Sequence, residues 1–274
     1  MKTGRIGKLV LAFALVIVSI YGLRVALLPV GKEISVNSAQ LLKNPLPPEA
    51  PKLPDFSAIA DVREKKQAFF DFLRPMIRAQ NALIAKERDF LQTVNAHFSL
   101  DHTLSDAERY RIGEIAQKYQ FNPRVIDGDA ITELLRRVDT VPENMVLIQA
   151  ANETGWGSSR FAREGLNFFG QWCFRKGCGL VPLSRTEGLS HEVAKFDTVE
   201  DSVAAYLRNL NSNGAYDMFR SIRADVRAQG REPQAEELVW GLMSYSERKE
   251  AYIEELLQML QHNKAFLLAA NQNQ

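Results

Sequence analysis

A tryptophan between two glycines constrains this chain more than any other feature of its sequence. Residues 149–170 read QAANETGWGSSRFAREGLNFFG, and the run opens inside a helical pattern. Glycine costs roughly 1 kcal/mol relative to alanine in a helix interior, so Gly155 and Gly157 predict that a helix ends just after Glu153. The Glu153 carboxylate then lies beside the Trp156 ring, where the glycines let the backbone turn sharply. A carboxylate in such surroundings is a candidate general acid, because burial raises the pKa of a carboxyl group.

Two blocks in this run resemble the signature of a known family. They read ANETGWGSS at 151–159 and NFFG at 167–170. The first is similar to the Glu, Ser/Thr, Gly, Trp, Gly string of the glucosaminidase family, which cleaves bacterial cell-wall glycan, and the second to its Asn-Leu-Phe-Gly turn. The resemblance covers roughly residues 140–263 and is strongest to the Bax branch. It implies a mainly α, lysozyme-like fold with a small β-lobe flanking a substrate groove.

The resemblance also implies a reaction. The chain would be a peptidoglycan hydrolase of the endo-β-N-acetylglucosaminidase type, which cleaves β-1,4 bonds next to N-acetylglucosamine without a metal or other cofactor. Glu153 would be the general acid, and Trp156, Asn167 and Phe168 would bind substrate. Two alternatives stay open, a lytic transglycosylase and a non-catalytic, membrane-tethered protein that binds the wall. The plainest alternative is a solvated Glu153 at a helix end, with Trp156 and Phe168 in the core.

A second acidic residue is expected from the β-lobe. Residues 172–196 read as strand and loop, and His191–Phe196 alternates like a strand. The resemblance makes Glu192 the first choice and Glu187 the second, because both precede the strand that contains Phe196. The separation of the two carboxylates sets inversion or retention. If Glu192 lies far from the acid, a water-mediated route or assistance by the substrate's N-acetyl group takes its place.

Two tyrosines near the C-terminus resemble the closing motif of the family. Tyr245 matches the tyrosine that faces the groove and is a candidate catalytic residue, and Tyr252 matches a second, more structural tyrosine and is a candidate for substrate binding. The residues between them, SERKE at 246–250, depart from the Ala-Thr-Asp-Pro of many members. The alternative for Tyr245 is an interior aromatic residue whose hydroxyl is hydrogen-bonded.

Cys173 and Cys178 are the only cysteines of the chain. A zinc site needs more ligands at fixed spacing, and the four histidines are scattered. A disulfide is predicted if the compartment is oxidising, and the alternative is two free, buried thiols. The disulfide is favoured because the N-terminus indicates export.

The N-terminus reads as a membrane anchor or a signal peptide, residues 1–30. Lys2, Arg5 and Lys8 precede an apolar run at 9–23, and Arg24 separates it from a second apolar run at 25–30. A basic flank before an apolar run is typical of both. Because no small-x-small cleavage site follows, we expect a single inner-membrane span with the body in the periplasm.

The rest of the chain divides into three parts. We predict a Pro-rich linker at 31–55, a helical N-terminal region at 56–138 and a glucosaminidase-like catalytic domain at 139–274. Pro75 is expected to kink or break the first helix. Ser105 with Glu108, and Thr140 with Glu143, read as capping boxes, and the second would start the helix that delivers Glu153.

Charge gives little direction about partners. The formal net charge is +1, so nothing indicates a nucleic acid, and the sequence leaves the oligomeric state open. A basic cluster reads as a solvated helix face, with contact to the anionic wall or to lipid as the alternative. Its members are Arg63, Lys65, Lys66, Arg74 and Arg78.

Overall fold

The computed structural model describes residues 52–183, 185 and 191–268. The predicted anchor or signal peptide at 1–30, the linker as far as residue 51 and the alternative acid Glu187 lie outside these ranges. Within the described ranges, no helix combines the length and apolar character needed to cross a membrane.

A 40-residue helix, α1 (Val62–Asp101), runs through the centre of the described chain. Asp61 caps its first turn by accepting a hydrogen bond from the Glu64 backbone N–H at 2.9 Å. The predicted break at Pro75 is wrong, because the helix continues through this residue. The apolar face of α1 is buried against helices from both halves of the chain, and this packing outweighs the one backbone hydrogen bond that proline removes.

The remaining α-helices of the described chain are short, and they pack around α1 and one another. They are α2 (Asp106–Lys118), α3 (Gly128–Arg137), α4 (Glu143–Thr154), α5 (Arg160–Gly165), α6 (Val199–Ser212), α7 (Asp217–Ala228), α8 (Ala235–Leu238), α9 (Glu250–His262) and α10 (Lys264–Leu268). Single 3₁₀ turns lie at Phe56–Ala58, Gly214–Tyr216 and Val239–Leu242. Residues on both sides of the expected boundary at 138 pack against α1, and the described residues form one compact unit.

One of the two predicted capping boxes is confirmed and the other is wrong. Ser105 and Glu108 cap α2 reciprocally, as expected. Helix α4 instead begins at Glu143 behind Pro142, and Thr140 does not cap it. The Glu143 carboxylate binds the guanidinium groups of Arg74 and Arg78, so an ion pair with α1 takes the place of the local cap.

These ion pairs also correct the interpretation of the basic cluster. Arg74 is 5% exposed, so this part of α1 is not a solvated face. A second buried group surrounds Asp139, which receives hydrogen bonds at 3.1 Å from Arg227. Arg223, fully buried beside it, donates to the Asp139 carbonyl at 3.0 Å. Arginines on α1 and α7 therefore tie the start of α4 and the residues just before it to the helical body.

The small β-lobe has three short strands, β1 (Trp172–Cys173), β2 (Gly179–Leu180) and β3 (Glu192–Ala194). The order is β1-β3-β2, and both neighbours run antiparallel to β3. Cys173 pairs with Glu192, and Gly179 with Ala194. Within the described ranges the rest of the regular structure is helical, which confirms the predicted mainly α fold with a small β-lobe.

Candidate active site

Glu153 lies in the last turn of α4, as the glycines predict. The body of α4 is almost wholly buried, so the helix passes through the core, and its C-terminal end emerges beside Gly170. The helix ends at Thr154, whose hydroxyl donates to the Ala150 carbonyl at 2.6 Å and accepts from the Gly157 N–H at 2.8 Å. The threonine of the signature thus joins the helix end to the turn that follows.

Three successive residues of that turn have left-handed backbone angles. Their φ values are 55° at Gly155, 59° at Trp156 and 75° at Gly157. Only glycine adopts this region without cost, so the turn strains Trp156. Gly157 cannot be replaced, since a Cβ there would lie 2.4 Å from the Phe56 ring. The Trp156 ring packs against the Phe69 ring, 5.7 Å between centroids, and this contact holds the strained residue in place.

The two oxygens of Glu153 have different surroundings. Oε1 accepts a hydrogen bond of 2.8 Å from the Tyr252 hydroxyl. Oε2 faces Gly170, where an added Cβ would lie 3.3 Å away. Burial raises the pKa of Glu153, the hydrogen bond from Tyr252 opposes the rise, and the negative charge of Glu255 adds to it. A raised pKa favours the protonated carboxyl group, which is the form that a general acid needs.

Tyr252 is itself held by a buried amide. Gln149, one helical turn before Glu153 and fully buried, donates from Nε2 to the Tyr252 oxygen at 2.8 Å. The hydroxyl of Tyr206 donates to Oε1 of Gln149. These contacts come from α4, α6 and α9, so three helices meet behind the carboxylate.

Tyr245 lies next to Tyr206 and Tyr252, and it makes no hydrogen bond to Glu153 in the described structure. Its ring is parallel to that of Tyr252, with 5.8 Å between the centroids. Its hydroxyl donates to the Phe169 carbonyl at 2.5 Å, and burial raises its pKa. In this arrangement Tyr245 ties the residues before α9 to the 167–170 turn.

The turn at residues 167–170 is held in place by two buried side chains. Asn167 accepts from the N–H groups of Phe169 and Gln171, at 3.2 and 3.1 Å, and donates at 2.9 Å to the carbonyls of Gln171 and Ala194. Asn167 is 1% exposed and Phe168 is fully buried against Phe69. Neither side chain reaches the surface in the described structure, and both hold the turn that ends at Gly170.

Glu192 holds the loop that the disulfide closes. The sulfurs of Cys173 and Cys178 are bonded, with Cα atoms 6.2 Å apart. The Glu192 oxygens accept from the backbone N–H groups of Gly177 and Gly179, at 2.9 and 2.8 Å. These hydrogen bonds lower the pKa of Glu192. The carboxylate and both sulfurs gather within 4.8 Å, but bonded sulfurs offer no thiolate to a metal ion.

Glu192 and Glu153 have separate hydrogen-bond partners in the described structure. The two carboxylates share no hydrogen-bond partner, because Glu192 contacts the disulfide loop and Glu153 contacts Tyr252. The acidic residue whose charge does act on Glu153 is Glu255 on α9, which is paired with Arg248.

A cleft of about 340 Å³ opens beside the end of α4. Lys66 reaches into it, 5.0 Å above the Trp156 ring, and donates to Asn263 at 2.8 Å. The other lining residues are Ala151, Asn152, Gly155, Glu255, Met259 and His262. Trp156 thus presents part of its ring to an open cleft that is lined by both polar and apolar groups.

A second cleft, also about 340 Å³, lies between the β-lobe and α6. Trp172 is 56% exposed there, and its ring stacks on His191 with 4.3 Å between the centroids. Gln171 and Asn209 line the same cleft. Gln171 directly follows Gly170, so this cleft begins one residue beyond the glycine that faces Glu153.

Sequence reasoning missed four residues of this site, namely Gln149, Tyr206, Glu255 and Lys66. Only Gln149 gave a signal, since it is a polar residue within the apolar run 145–151 and lies one turn before Glu153. Tyr206 read as one face of a helix, and Lys66 as part of a solvated cluster. Their partners are distant in sequence, so periodicity alone does not reveal them.

Comparison with known proteins identifies the family of this chain. Residues 128–265 match the glucosaminidase family, described as mannosyl-glycoprotein endo-beta-N-acetylglucosaminidase. The chain is 35% identical over 221 residues to the protein Bax of Escherichia coli strain K12, covering 79% of this chain and 76% of that protein. Among solved structures, none matches this chain. The chain therefore belongs to the glucosaminidase family of glycoside hydrolases and is related to Bax within it.

Proposed function

We propose that this protein is a peptidoglycan hydrolase that cleaves the β-1,4 glycosidic bond next to N-acetylglucosamine, with Glu153 as the general acid. The observation that supports the proposal is the Glu153 carboxyl group itself. It is partly buried, burial raises its pKa, and one of its oxygens is free of protein hydrogen bonds in the described structure. Family membership supports the substrate class, a glycan that contains N-acetylglucosamine.

In this reaction Glu153 delivers its proton to the bridging oxygen of the glycosidic bond. The bond from the anomeric carbon to that oxygen breaks, the oxygen leaves as a hydroxyl group, and the anomeric carbon gains oxocarbenium character. Water then adds to this carbon and releases a proton to the solvent, from which Glu153 is protonated again. The carboxylate left on Glu153 is stabilised by the hydrogen bond from Tyr252.

The second half of the reaction needs a group that assists the attack of water or stabilises the oxocarbenium-like anomeric carbon. Glu192 has both oxygens on backbone amides, and we propose that it shapes the β-lobe. Two routes then remain, a positioned water or assistance by the N-acetyl group of the substrate. The first inverts the anomeric configuration and the second retains it, so product stereochemistry distinguishes them.

Flat and polar surfaces line the cleft beside the end of α4 and the cleft next to the β-lobe. Trp156 and Trp172 each present part of a ring to a cleft, and aromatic rings offer sugar rings an apolar face. Gln171 and Asn152 supply amides, which hydrogen-bond to hydroxyl and acetamido groups. We propose that the glycan strand passes Gly170 between these clefts.

We further propose that the body acts on the outer side of the inner membrane, tethered by residues 1–30. The basic residues before the apolar run and the Cys173–Cys178 disulfide support this location. A reporter that is active only outside the cytoplasm, fused after Gln274, should be active. A silent reporter would overturn this orientation, and a new N-terminus near residues 23–38 would make the segment a signal peptide.

The reaction is tested by digesting purified sacculi with the full-length protein and analysing the products by mass and by reducing end. The proposal predicts soluble fragments with N-acetylglucosamine at the reducing end and the mass of one added water per cleavage. Anhydro-sugar products would make the protein a lytic transglycosylase. Binding of sacculi by folded protein without any product would make it a wall-binding protein.

A further inference from the structure

Gln149 is fully buried, yet the proposed reaction gives it no role. Its Oε1 accepts from the Tyr206 hydroxyl, its Nε2 donates to the Tyr252 oxygen at 2.8 Å, and Tyr252 donates to Oε1 of Glu153 at 2.8 Å. The four side chains form one series, which we name the hydrogen-bond chain. Every proton donated along it points toward Glu153.

The amide fixes this direction. A glutamine side chain has one accepting and one donating end, whereas a tyrosine hydroxyl has a single proton and can also accept. Because Gln149 donates to the Tyr252 oxygen, the hydroxyl proton of Tyr252 is directed at Glu153. The far end is fixed as well, since the Tyr206 ring stacks on Phe169 with 4.0 Å between the centroids.

The direction of the chain determines which oxygen of Glu153 carries the acid proton. A proton on Oε1 would face the Tyr252 hydroxyl proton, which already occupies that side. Oε2 accepts no hydrogen bond from the described protein and faces Gly170. The proton of neutral Glu153 therefore belongs on Oε2, the oxygen toward which a substrate past Gly170 would lie.

We propose that Gln149 is a positioning residue that acts through Tyr252, keeping Oε1 of Glu153 an acceptor and placing the acid proton on Oε2. Its catalytic meaning rests on the proposed function, because a misplaced proton matters only to an acid. The arrangement of protons within the chain does not depend on that function and can be measured without substrate.

Other ionisable groups also surround Glu153. Glu255 and Tyr252 face it from α9, Arg248 from the residues before α9, Tyr206 from α6, and Tyr216 and Tyr245 from the segments that precede α7 and α9. Burial raises the pKa of Tyr206 and of Tyr252. Both hydroxyls therefore keep their protons near neutral pH and remain donors.

Loss of Gln149 changes the pH–rate profile in two ways, because it extends activity to higher pH and lowers the maximum rate. Tyr252 loses its donor, so its hydroxyl can turn and accept a proton from Oε1, which stabilises neutral Glu153 and raises its pKa further. The acid proton then lies on the wrong oxygen, and cleavage slows. An acid is active while protonated, so the alkaline limb of the pH–rate profile moves to higher pH while the maximum rate falls.

The test uses the full-length protein with two variants of the chain. Gln149→Leu removes the amide and keeps the volume of the side chain. Tyr206→Phe removes only the hydroxyl at the far end of the hydrogen-bond chain, and it carries the test alone if Gln149→Leu does not fold. Each has a matched control elsewhere in the core. Asn211→Leu removes a fully buried amide that donates to Asp139 at 3.0 Å, and Tyr119→Phe removes a buried hydroxyl that donates to Glu87 at 2.8 Å.

The ionisation of Glu153 is followed by ¹³C NMR of glutamate side-chain carboxyl groups, with Glu153→Gln identifying the signal. We expect the pKa of Glu153 to rise in Gln149→Leu, to rise less in Tyr206→Phe and to stay unchanged in both controls. The pH–rate profile on sacculi should show a maximum rate about 10-fold to 100-fold lower in Gln149→Leu, with its alkaline limb at higher pH.

An unchanged pKa of Glu153 in folded Gln149→Leu, or in Tyr206→Phe where Gln149→Leu does not fold, would overturn the inference. A lower rate with an unmoved alkaline limb would also overturn it, because a merely structural role gives that result. If the wild-type protein cleaves nothing, the proposed function fails, and the NMR titration alone still decides whether Gln149 directs the proton.

Discussion

Gly170 lies against the carboxylate of Glu153, where a side chain would be crowded and its backbone strained. Its φ is +60°, and a Cβ would lie 3.3 Å from Oε2 of Glu153. The last residue of the NFFG block thus has a chemical reason to be glycine. It leaves Oε2 accessible, while Asn167, Phe168 and Phe169 hold the turn from the inside.

We predict that Gly170→Ala lowers the rate of glycan cleavage by about 10-fold or more, because the methyl group crowds the oxygen that carries the acid proton. The left-handed φ also costs stability, about 1 kcal/mol. Gly230→Ala is the matched control, since Gly230 has a φ of +70° with nothing within 4 Å of an added Cβ. Both variants should lose similar stability in urea unfolding, and only Gly170→Ala should lose activity. Equal rates in the two variants would refute the role of Gly170.

The raised pKa of Glu153 fixes how stability depends on pH. Between the ordinary value of 4.5 and the folded pKa, the folded state binds more protons than the unfolded state, so stability falls as pH rises through that window. Glu153→Gln removes this titration and keeps an oxygen that can accept from Tyr252. Its Tm should exceed that of the wild type at pH values above the folded pKa, and the gap should shrink below pH 4.5. A gap that does not change with pH would contradict the argument.

The Cys173–Cys178 disulfide should be present in protein isolated from its native compartment. It closes a very short loop, so replacing both cysteines by serine should lower the free energy of unfolding by somewhat less than the ~3 kcal/mol expected of a 15-residue loop. Denaturant unfolding measures the difference. Thiol labelling of denatured, unreduced wild-type protein should find no free cysteine, and two labelled thiols would disprove the bond in the exported protein.

Glu192 provides a separate test of the β-lobe. Glu192→Gln keeps one accepting oxygen and loses the other, so one of the amides of Gly177 and Gly179 is left without a partner. We expect faster hydrogen exchange in residues 173–180 and cleavage within about 10-fold of wild type, well short of the loss expected for an acid–base group. A loss as large as that of Glu153→Gln would restore Glu192 as the second carboxylate.

The hydrogen bonds of Glu192 also have a pH dependence with the opposite sign to that of Glu153. Because they lower its pKa, their contribution to stability is present above the ordinary value of 4.5 and is lost as pH falls through the folded pKa. Exchange in residues 173–180 should therefore speed up in acid more in the wild type than in Glu192→Gln.

Local features of the sequence predicted much of this site. The end of α4, the cap of α2, the strand at Glu192–Ala194 and the pairing of two nearby cysteines each depend on residues close together in the chain. Glycine, capping residues and alternating side chains act within a few residues. Sequence patterns at this range therefore place the carboxylate correctly.

Contacts between residues that are distant in sequence determine the remaining features of the site and fold. Gln149 meets a tyrosine 57 residues away and another 103 residues away, and nothing near position 149 specifies either partner. The same limit explains two wrong predictions. Thr140 lost its expected capping role because Glu143 pairs with Arg74 and Arg78, and α1 continues through Pro75 because helices from later in the chain cover it.

The central claim is that Glu153 supplies the acid proton, and the rate of glycan cleavage by Glu153→Gln tests it most directly. Glutamine keeps the size and can accept from Tyr252, but it has no proton to donate. The control is Glu164→Gln, because the Glu164 side chain is 54% exposed on the neighbouring helix α5. With sacculi as substrate, we predict a loss of at least ~100-fold in Glu153→Gln and a wild-type rate in Glu164→Gln. A rate near wild type in folded Glu153→Gln would contradict the account.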